Sequence, residues 1–164
     1  MCRLVAPGET SRMTPAPSLQ LQLPDIAATE ALGTRIAELL KRGDAVLLEG
    51  PLGAGKSVLA RALLRSAAGE PALEVPSPSF TLVQSYETRI GLIHHYDLWR
   101  LGQSTDVIEL DWDGAREDIV LVEWPERLGD ARPEDALTVR LDFGEGEERT
   151  ATLSGWPDRI KGLP

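Results

Sequence analysis

Residues Gly50 to Ser57 read Gly-Pro-Leu-Gly-Ala-Gly-Lys-Ser and satisfy the pattern G-x-x-x-x-G-K-[ST] at every fixed position. No other segment restricts the fold as strongly, because this pattern functions only between a strand and a helix. Its glycines let the backbone wrap a polyphosphate with consecutive N–H groups turned inward. A helix starting there presents its N-terminus to the anion. The flanking residues comply. Ala45 to Glu49 is a short apolar run ending at Gly50, as expected of a buried strand. Ser57 to Arg65 continues as a helix with apolar residues at 59, 62 and 63, running to about Ala68 with Gly69 as its stop. The pattern puts Lys56 on the β- and γ-phosphates and the Ser57 hydroxyl on Mg²⁺.

The surrounding chain predicts an α/β fold of the P-loop NTPase type, with a mixed parallel and antiparallel sheet flanked by helices. Leu19 to Leu23 alternates apolar and polar residues, the period of a half-exposed strand. Asp25 is placed to cap a helix with Ile26, Ala27, Leu32, Ile36, Leu39 and Leu40 on its buried side, closed by Gly43-Asp44. Three prolines between Pro71 and Pro78 demand irregular chain. Phe80 to Tyr86 and Ile90 to Tyr96 read as strands. Their short connection at Glu87 to Arg89 means an antiparallel hairpin, since a parallel pair needs a long crossover. A short helix is expected over Ser104 to Leu110, broken at Asp111 to Gly114. Ile119 to Val122 is a buried strand, and Ala136 to Phe143 with Arg149 to Leu153 a final hairpin. At 164 residues one core suffices. The expected organisation is a disordered leader over 1–17, a domain over 18–156 and a loosely held tail over 157–164. Met13 is an alternative start.

Charge narrows the partners. The net charge is −9, and only three lysines (Lys41, Lys56, Lys161) accompany fourteen arginines that are scattered along the sequence. Nucleic-acid binders carry a basic face, because neutralising phosphates supplies most of their non-specific affinity. Tight direct binding of RNA or DNA is therefore not expected, whereas docking to a basic protein surface is compatible. Cys2 is the only cysteine, which excludes an internal disulfide and suits a reducing compartment. No stretch approaches the roughly 18 apolar residues of a membrane span.

A phosphate loop needs an acid at the end of a neighbouring strand to hold Mg²⁺ directly or through water. Two positions qualify: Glu123, after Ile119 to Val122, and Asp97, after Leu92 to Tyr96. Ser77-Pro78-Ser79-Phe80-Thr81 sets hydroxyls after a proline-rich loop, like a switch that senses a γ-phosphate. His94 and His95 face opposite sides of a strand, so they form no simple metal pair and read as structural histidines. Without a second cysteine, zinc is not expected.

The order Gly-x-Leu-Gly-Ala-Gly-Lys-Ser, Ser-Pro-Ser-Phe-Thr-Leu-Val, His-x-Asp-Leu-x-Arg-Leu and Val-Glu-Trp-Pro-Glu resembles the TsaE (YjeE) family over roughly residues 20 to 155. These are small bacterial P-loop ATPases of tRNA threonylcarbamoyladenosine biosynthesis. The resemblance implies ATP and Mg²⁺ as cofactors. It implies a nucleotide site of Gly50, Leu52, Gly53, Ala54, Gly55, Lys56, Ser57, Val58 and Ser79. It makes Lys56, Asp97 and Glu123 the catalytic groups and Ser57 and Glu123 the metal ligands. It further implies a cytoplasmic accessory protein that acts on a TsaD–TsaB complex and meets tRNA only through that complex. The complex threonylcarbamoylates adenosine 37 of tRNAs reading codons that begin with A. Trp99 stands where this family more often has Tyr, Ser57 and Ser79 where it more often has Thr, and Pro51 where an acid is common. Two other readings fit a bare phosphate loop. A small-molecule kinase would require an acceptor pocket and an arginine-bearing lid, and a nucleotide-gated module would turn over negligibly.

Overall fold

The computed structural model describes residues 17–163. The leader up to residue 16 and the alternative start at Met13 fall on residues outside that range. Seven strands form one sheet in the order β1-β7-β6-β2-β5-β4-β3. They are β1 (Ser18–Leu23), β2 (Ala45–Glu49), β3 (Val83–Thr88), β4 (Gly91–Asp97), β5 (Ile119–Glu123), β6 (Leu137–Phe143) and β7 (Arg149–Ser154). The run β6-β2-β5-β4 is parallel, while β1-β7, β7-β6 and β4-β3 are antiparallel. Among the described residues four helices accompany the sheet: α1 (Ile26–Leu39), α2 (Lys56–Ala68) and the single turns α3 (Trp112–Ala115) and α4 (Pro157–Ile160). Two 3-10 segments cover Ser104–Leu110 and Pro125–Ala131.

The central strands β2 and β5 are buried on both faces, which is why they read as unbroken apolar runs. Val46, Leu48, Ile93 and Leu121 pack with Ile36, Leu59 and Leu63 of α1 and α2 in one cluster. Alternate residues Ala45, Leu47, Val120 and Val122 pack with Tyr96, Trp112 and Leu128 in the other. The α1–α2 contact is close because residue 33 is glycine: a Cβ there would sit 2.6 Å from the Leu59 carbonyl oxygen.

Asp25 caps α1 through Ala28 N–H at 2.8 Å, and Gly69 closes α2 in the left-handed conformation, both as expected. Several boundaries differ. Ile26 and Ala27 are exposed rather than inward, because the buried stripe starts one residue later at Ala28 and Thr29. Phe80, Thr81 and Leu82 are not in β3. The Leu82 N–H bonds to the Pro78 carbonyl and Leu82 takes φ 67°, so these residues form a turn that leaves Phe80 82% exposed. The β3–β4 connection shortens to Arg89 and Ile90. Asp111, at φ 54°, does break the preceding helical segment, but Trp112–Ala115 then resumes as a turn that buries Trp112. The tail is held rather than loose. Ile160 and Leu163 are buried in the α1–α2 core, and Arg159 pairs with Asp44 while stacking 3.7 Å from the Trp156 ring centroid. No helix among the described residues is long and apolar enough to cross a membrane.

Candidate functional site

Ligand sites in parallel α/β sheets lie beyond the carboxyl ends of the strands. Here β2 ends there in the glycine loop, and β4 and β5 end in the two candidate acids. The parallel register makes Asp97 and Glu123 direct neighbours. Gly50 turns the chain out of β2 at φ 139° with a Cβ-sized gap closed by β6: an added Cβ would lie 2.3 Å from the Leu141 carbonyl oxygen. Gly55, also at positive φ, starts α2 without a side-chain cap, leaving the N–H groups of its first turn facing the loop.

A cavity of about 420 Å³ opens between this loop and the strand ends. Leu52, Gly53, Gly55, Lys56, Ser57, Val58 and Ser79 line it, together with Asp97 and Glu123. Gly50 borders an adjoining concavity instead. The Ala54 methyl is fully buried in the core, so any contact from residue 54 would have to come from its backbone. Ser77, Trp99, Arg100 and Trp124 complete the wall.

The charged groups are connected. Lys56, 6% exposed, donates to the carbonyl oxygens of Gly50 and, at 3.0 Å, Pro51. Its ammonium also sits 4.0 Å from the centroid of Trp124. Burial lowers its pKa, an effect opposed by the negative charges of Glu123, Glu126 and Asp97. Glu123 has both oxygens engaged: Ser57 Oγ donates to Oε1 at 3.1 Å, and His95 Nε2 lies 3.0 Å from Oε2. Asp97 accepts from Ser77 Oγ at 3.2 Å and from the Trp99 N–H at 3.1 Å. Burial raises the Asp97 pKa most, the nearby Glu123 charge adds to this, and the two hydrogen bonds and His95 oppose it. Trp124 holds φ 60°, a conformation costing a β-carbon residue about 1–3 kcal/mol. That turn directs its indole over Lys56 and against Trp99, with ring centroids 4.4 Å apart.

The expected switch segment therefore touches the site through Ser77 and Ser79, while Phe80 points outward beneath the Arg100 guanidinium, 4.6 Å from its ring. The sequence reading missed His95 as the partner of Glu123. Its spacing from Asp97, i and i−2 on one strand, puts the two on one face, but only pairing of β4 with β5 brings that face to Glu123. His94 is structural, bridging Ser85 at 2.7 Å and Asp118 at 2.9 Å.

Among the described residues no three His, Cys, Asp or Glu side chains are grouped to hold a metal ion. Mg²⁺ fits the residues present, since it favours one or two protein oxygens completed by phosphate and water. Ser57 Oγ and Glu123 Oε1 supply such a pair at the mouth of α2.

Fold, loop and cavity define a nucleotide-binding α/β protein of the P-loop class. A family model described as "Threonylcarbamoyl adenosine biosynthesis protein TsaE" matches residues 23–151. The chain belongs to the TsaE family, whose proteins take part in threonylcarbamoyladenosine biosynthesis on tRNA. It is 36% identical over 160 residues to the tRNA threonylcarbamoyladenosine biosynthesis protein TsaE of Nostoc sp., covering 93% of this chain and 95% of the relative. The namesake protein of Mycobacterium bovis is 37% identical over 143 residues, covering 80% and 84%. That of Rickettsia felis is 33% identical over 126 residues, covering 76% and 73%. Among solved structures, Bacillus subtilis YdiB superposes with a TM-score of 0.70 at 25% identity, covering 88% of this chain and 89% of that one.

Proposed function

We propose that this chain is an Mg²⁺-dependent ATPase that serves threonylcarbamoylation of adenosine 37 in tRNAs reading codons that begin with A. It acts in the cytoplasm on a TsaD–TsaB complex and reaches tRNA only through that complex. Residues 18–156 act as one P-loop domain, to which residues 157–163 are attached by Ile160 and Leu163. The observation that carries the reading is the Ser57–Glu123 contact at 3.1 Å, which joins the phosphate loop to the acid ending the neighbouring strand.

In this reading the N–H groups of Gly53, Gly55, Lys56 and Ser57 and the Lys56 ammonium bind the β- and γ-phosphates, while the Ala54 N–H holds the loop together through the Pro51 carbonyl at 3.1 Å. Lys56 exchanges its two carbonyl partners for phosphate oxygens, a trade favoured by the greater charge of the anion. Ser57 and Glu123 hold Mg²⁺, and His95 keeps the Glu123 carboxylate oriented by occupying its second oxygen. Bound there, Mg²⁺ neutralises charge that develops on the phosphates. Asp97 links the strand end to Ser77, so the γ-phosphate can be sensed by the Ser77 to Thr81 segment and passed on to the partner. Trp124 and Trp99 wall the cavity and exclude water from the Lys56 side. The kinase alternative lacks a lid among the described residues: β3 and β4 are joined only by Arg89 and Ile90.

The test is phosphate release from ATP by the purified protein. Mg²⁺-dependent release, abolished in Lys56→Ala together with nucleotide binding, is expected. Wild-type protein that fails to bind ATP at millimolar concentration would refute the reading.

A further inference from the structure

A second concavity of about 420 Å³ lies between α1 and α2. Its α2 wall is one helix stripe, Val58, Arg61, Ala62, Arg65, Ser66 and Gly69, with spacings of three and four residues. The opposite wall comes from Glu30 and Thr34 of α1, and the end from Pro71 and Arg89 of the β3–β4 turn. Three arginines thus line one cleft in a chain of net charge −9.

Among the described residues the cleft arginines have no ion-pair partner, a state they share with Arg100, Arg127 and Arg149 but which only they show together around one cavity. Arg35, Arg42, Arg116, Arg132, Arg140 and Arg159 each have a carboxylate within 4.0 Å. Among the described residues, Arg61, Arg65 and Arg89 have none within that distance. Arg65 spends its Nε–H on the Leu73 carbonyl at 2.9 Å, leaving the outer edge of its fork unpaired. Arg89 lies across residue 69, where an added Cβ would sit 2.2 Å from the guanidinium carbon. Its main chain is anchored by its own N–H, bonded to the Ala67 carbonyl at 3.1 Å. Glu30 is the one acid in the wall, and Thr34 and Ser66 add hydroxyls.

We propose that this cleft is a binding site for a small phosphate-bearing anion, separate from the phosphate loop. Three positive charges facing one carboxylate repel one another and are balanced by a multiply charged oxyanion, whose geometry a guanidinium fork matches. The cleft has the volume of a small-ligand site. The strongly negative remainder of the surface disfavours a long polyanion such as RNA, which needs an extended basic track. Val58 borders both this cleft and the nucleotide cavity, and Arg61 follows one turn later on the helix that carries Lys56 and Ser57. An anion held here thus contacts the helix that forms the phosphate loop's far side. The site requires nothing about ATP hydrolysis and stands or falls apart from it.

The test is calorimetric titration of the full chain with inorganic phosphate and with pyrophosphate, in wild type and in Lys56→Ala, which disables the phosphate loop. Lys56→Ala should retain one binding event per chain. Arg61→Ser and, separately, Arg89→Lys in that background should weaken it about tenfold or more, the loss expected for one charge-assisted fork. Arg89→Lys keeps the charge and so separates fork geometry from general attraction. Thermal melts of the same variants, unchanged by more than a few degrees, establish that the cleft is intact. Complete loss of phosphate and pyrophosphate binding in Lys56→Ala would overturn the proposal. So would residual binding indifferent to Arg61→Ser, or a cleft that binds a short RNA or an acidic peptide while pyrophosphate fails to compete.

Discussion

Replacing Glu123 with glutamine removes one charge and little else. Glu123 is 2% exposed, and its carboxylate is fixed by Ser57 at 3.1 Å and His95 at 3.0 Å. Glutamine has the same shape. The Ser57 hydroxyl can rotate to meet an amide, and the His95 ring can change tautomer, so both contacts survive. The fold should lose no more than about 1 kcal/mol, the worth of one ordinary hydrogen bond. The site loses a negative charge adjacent to the Ser57 hydroxyl. Unit charges about 4 Å apart interact by about 4 kcal/mol at an effective dielectric of about 20. Of that, about 3–4 kcal/mol would appear in the barrier, a fall of about 10²- to 10³-fold in turnover. Phosphate release measured across an Mg²⁺ series is the assay, with ADP binding in chelator and a thermal melt as companions. Slow release, a raised Mg²⁺ midpoint, and near-normal ADP binding and melting are expected. Release within about threefold of wild type at the same Mg²⁺ midpoint would refute the assignment of Glu123. Loss of activity together with a melting temperature lowered by more than about 10 °C would show a structural effect instead.

The neighbouring residues give further expectations. Burial raises the Asp97 pKa above its unfolded value, so the folded chain binds the proton more tightly and loses stability as pH rises through that window. Asp97→Asn keeps acceptor and donor for Trp99 and Ser77, so it should raise the melting temperature at neutral pH while lowering ATP turnover; a lower melting temperature would contradict this. His95→Ala strands the Glu123 Oε2 atom in the interior and should cost about 2–3 kcal/mol, or about 5–10 °C. His95→Asn should recover part of that loss in a melt and part of the Mg²⁺ response in the release assay.

What could be read from the sequence followed from local chemistry. The strand, loop and helix over residues 45–68 were legible because the phosphate-loop pattern admits few backbones and its flanks carry the matching periodicities. β5 was legible because burial on both faces leaves no polar position in Ile119 to Val122. The hairpins followed from connection length. The rest depended on tertiary pairing. That Asp97 and Glu123 stand side by side, and that His95 reaches Glu123, follows from the parallel pairing of β4 with β5, which no periodicity encodes. Phe80 to Leu82 looked like strand because it is apolar and β-prone, yet the Leu82 N–H is taken by the Pro78 carbonyl and the segment turns. The arginines looked scattered because Arg61 and Arg65 share a helix face while Arg89 arrives from a turn more than twenty residues later. The tail looked loose because two apolar residues in a short polar stretch do not reveal that a core is waiting for them.

The most direct test of the ATPase reading is phosphate release by the purified chain, alone and with the TsaD–TsaB pair, at fixed ATP and Mg²⁺. Release that is slow alone, rises at least about tenfold with the pair and disappears in Lys56→Ala is the expected result. Release that the pair leaves unchanged, or that persists in Lys56→Ala, would contradict it.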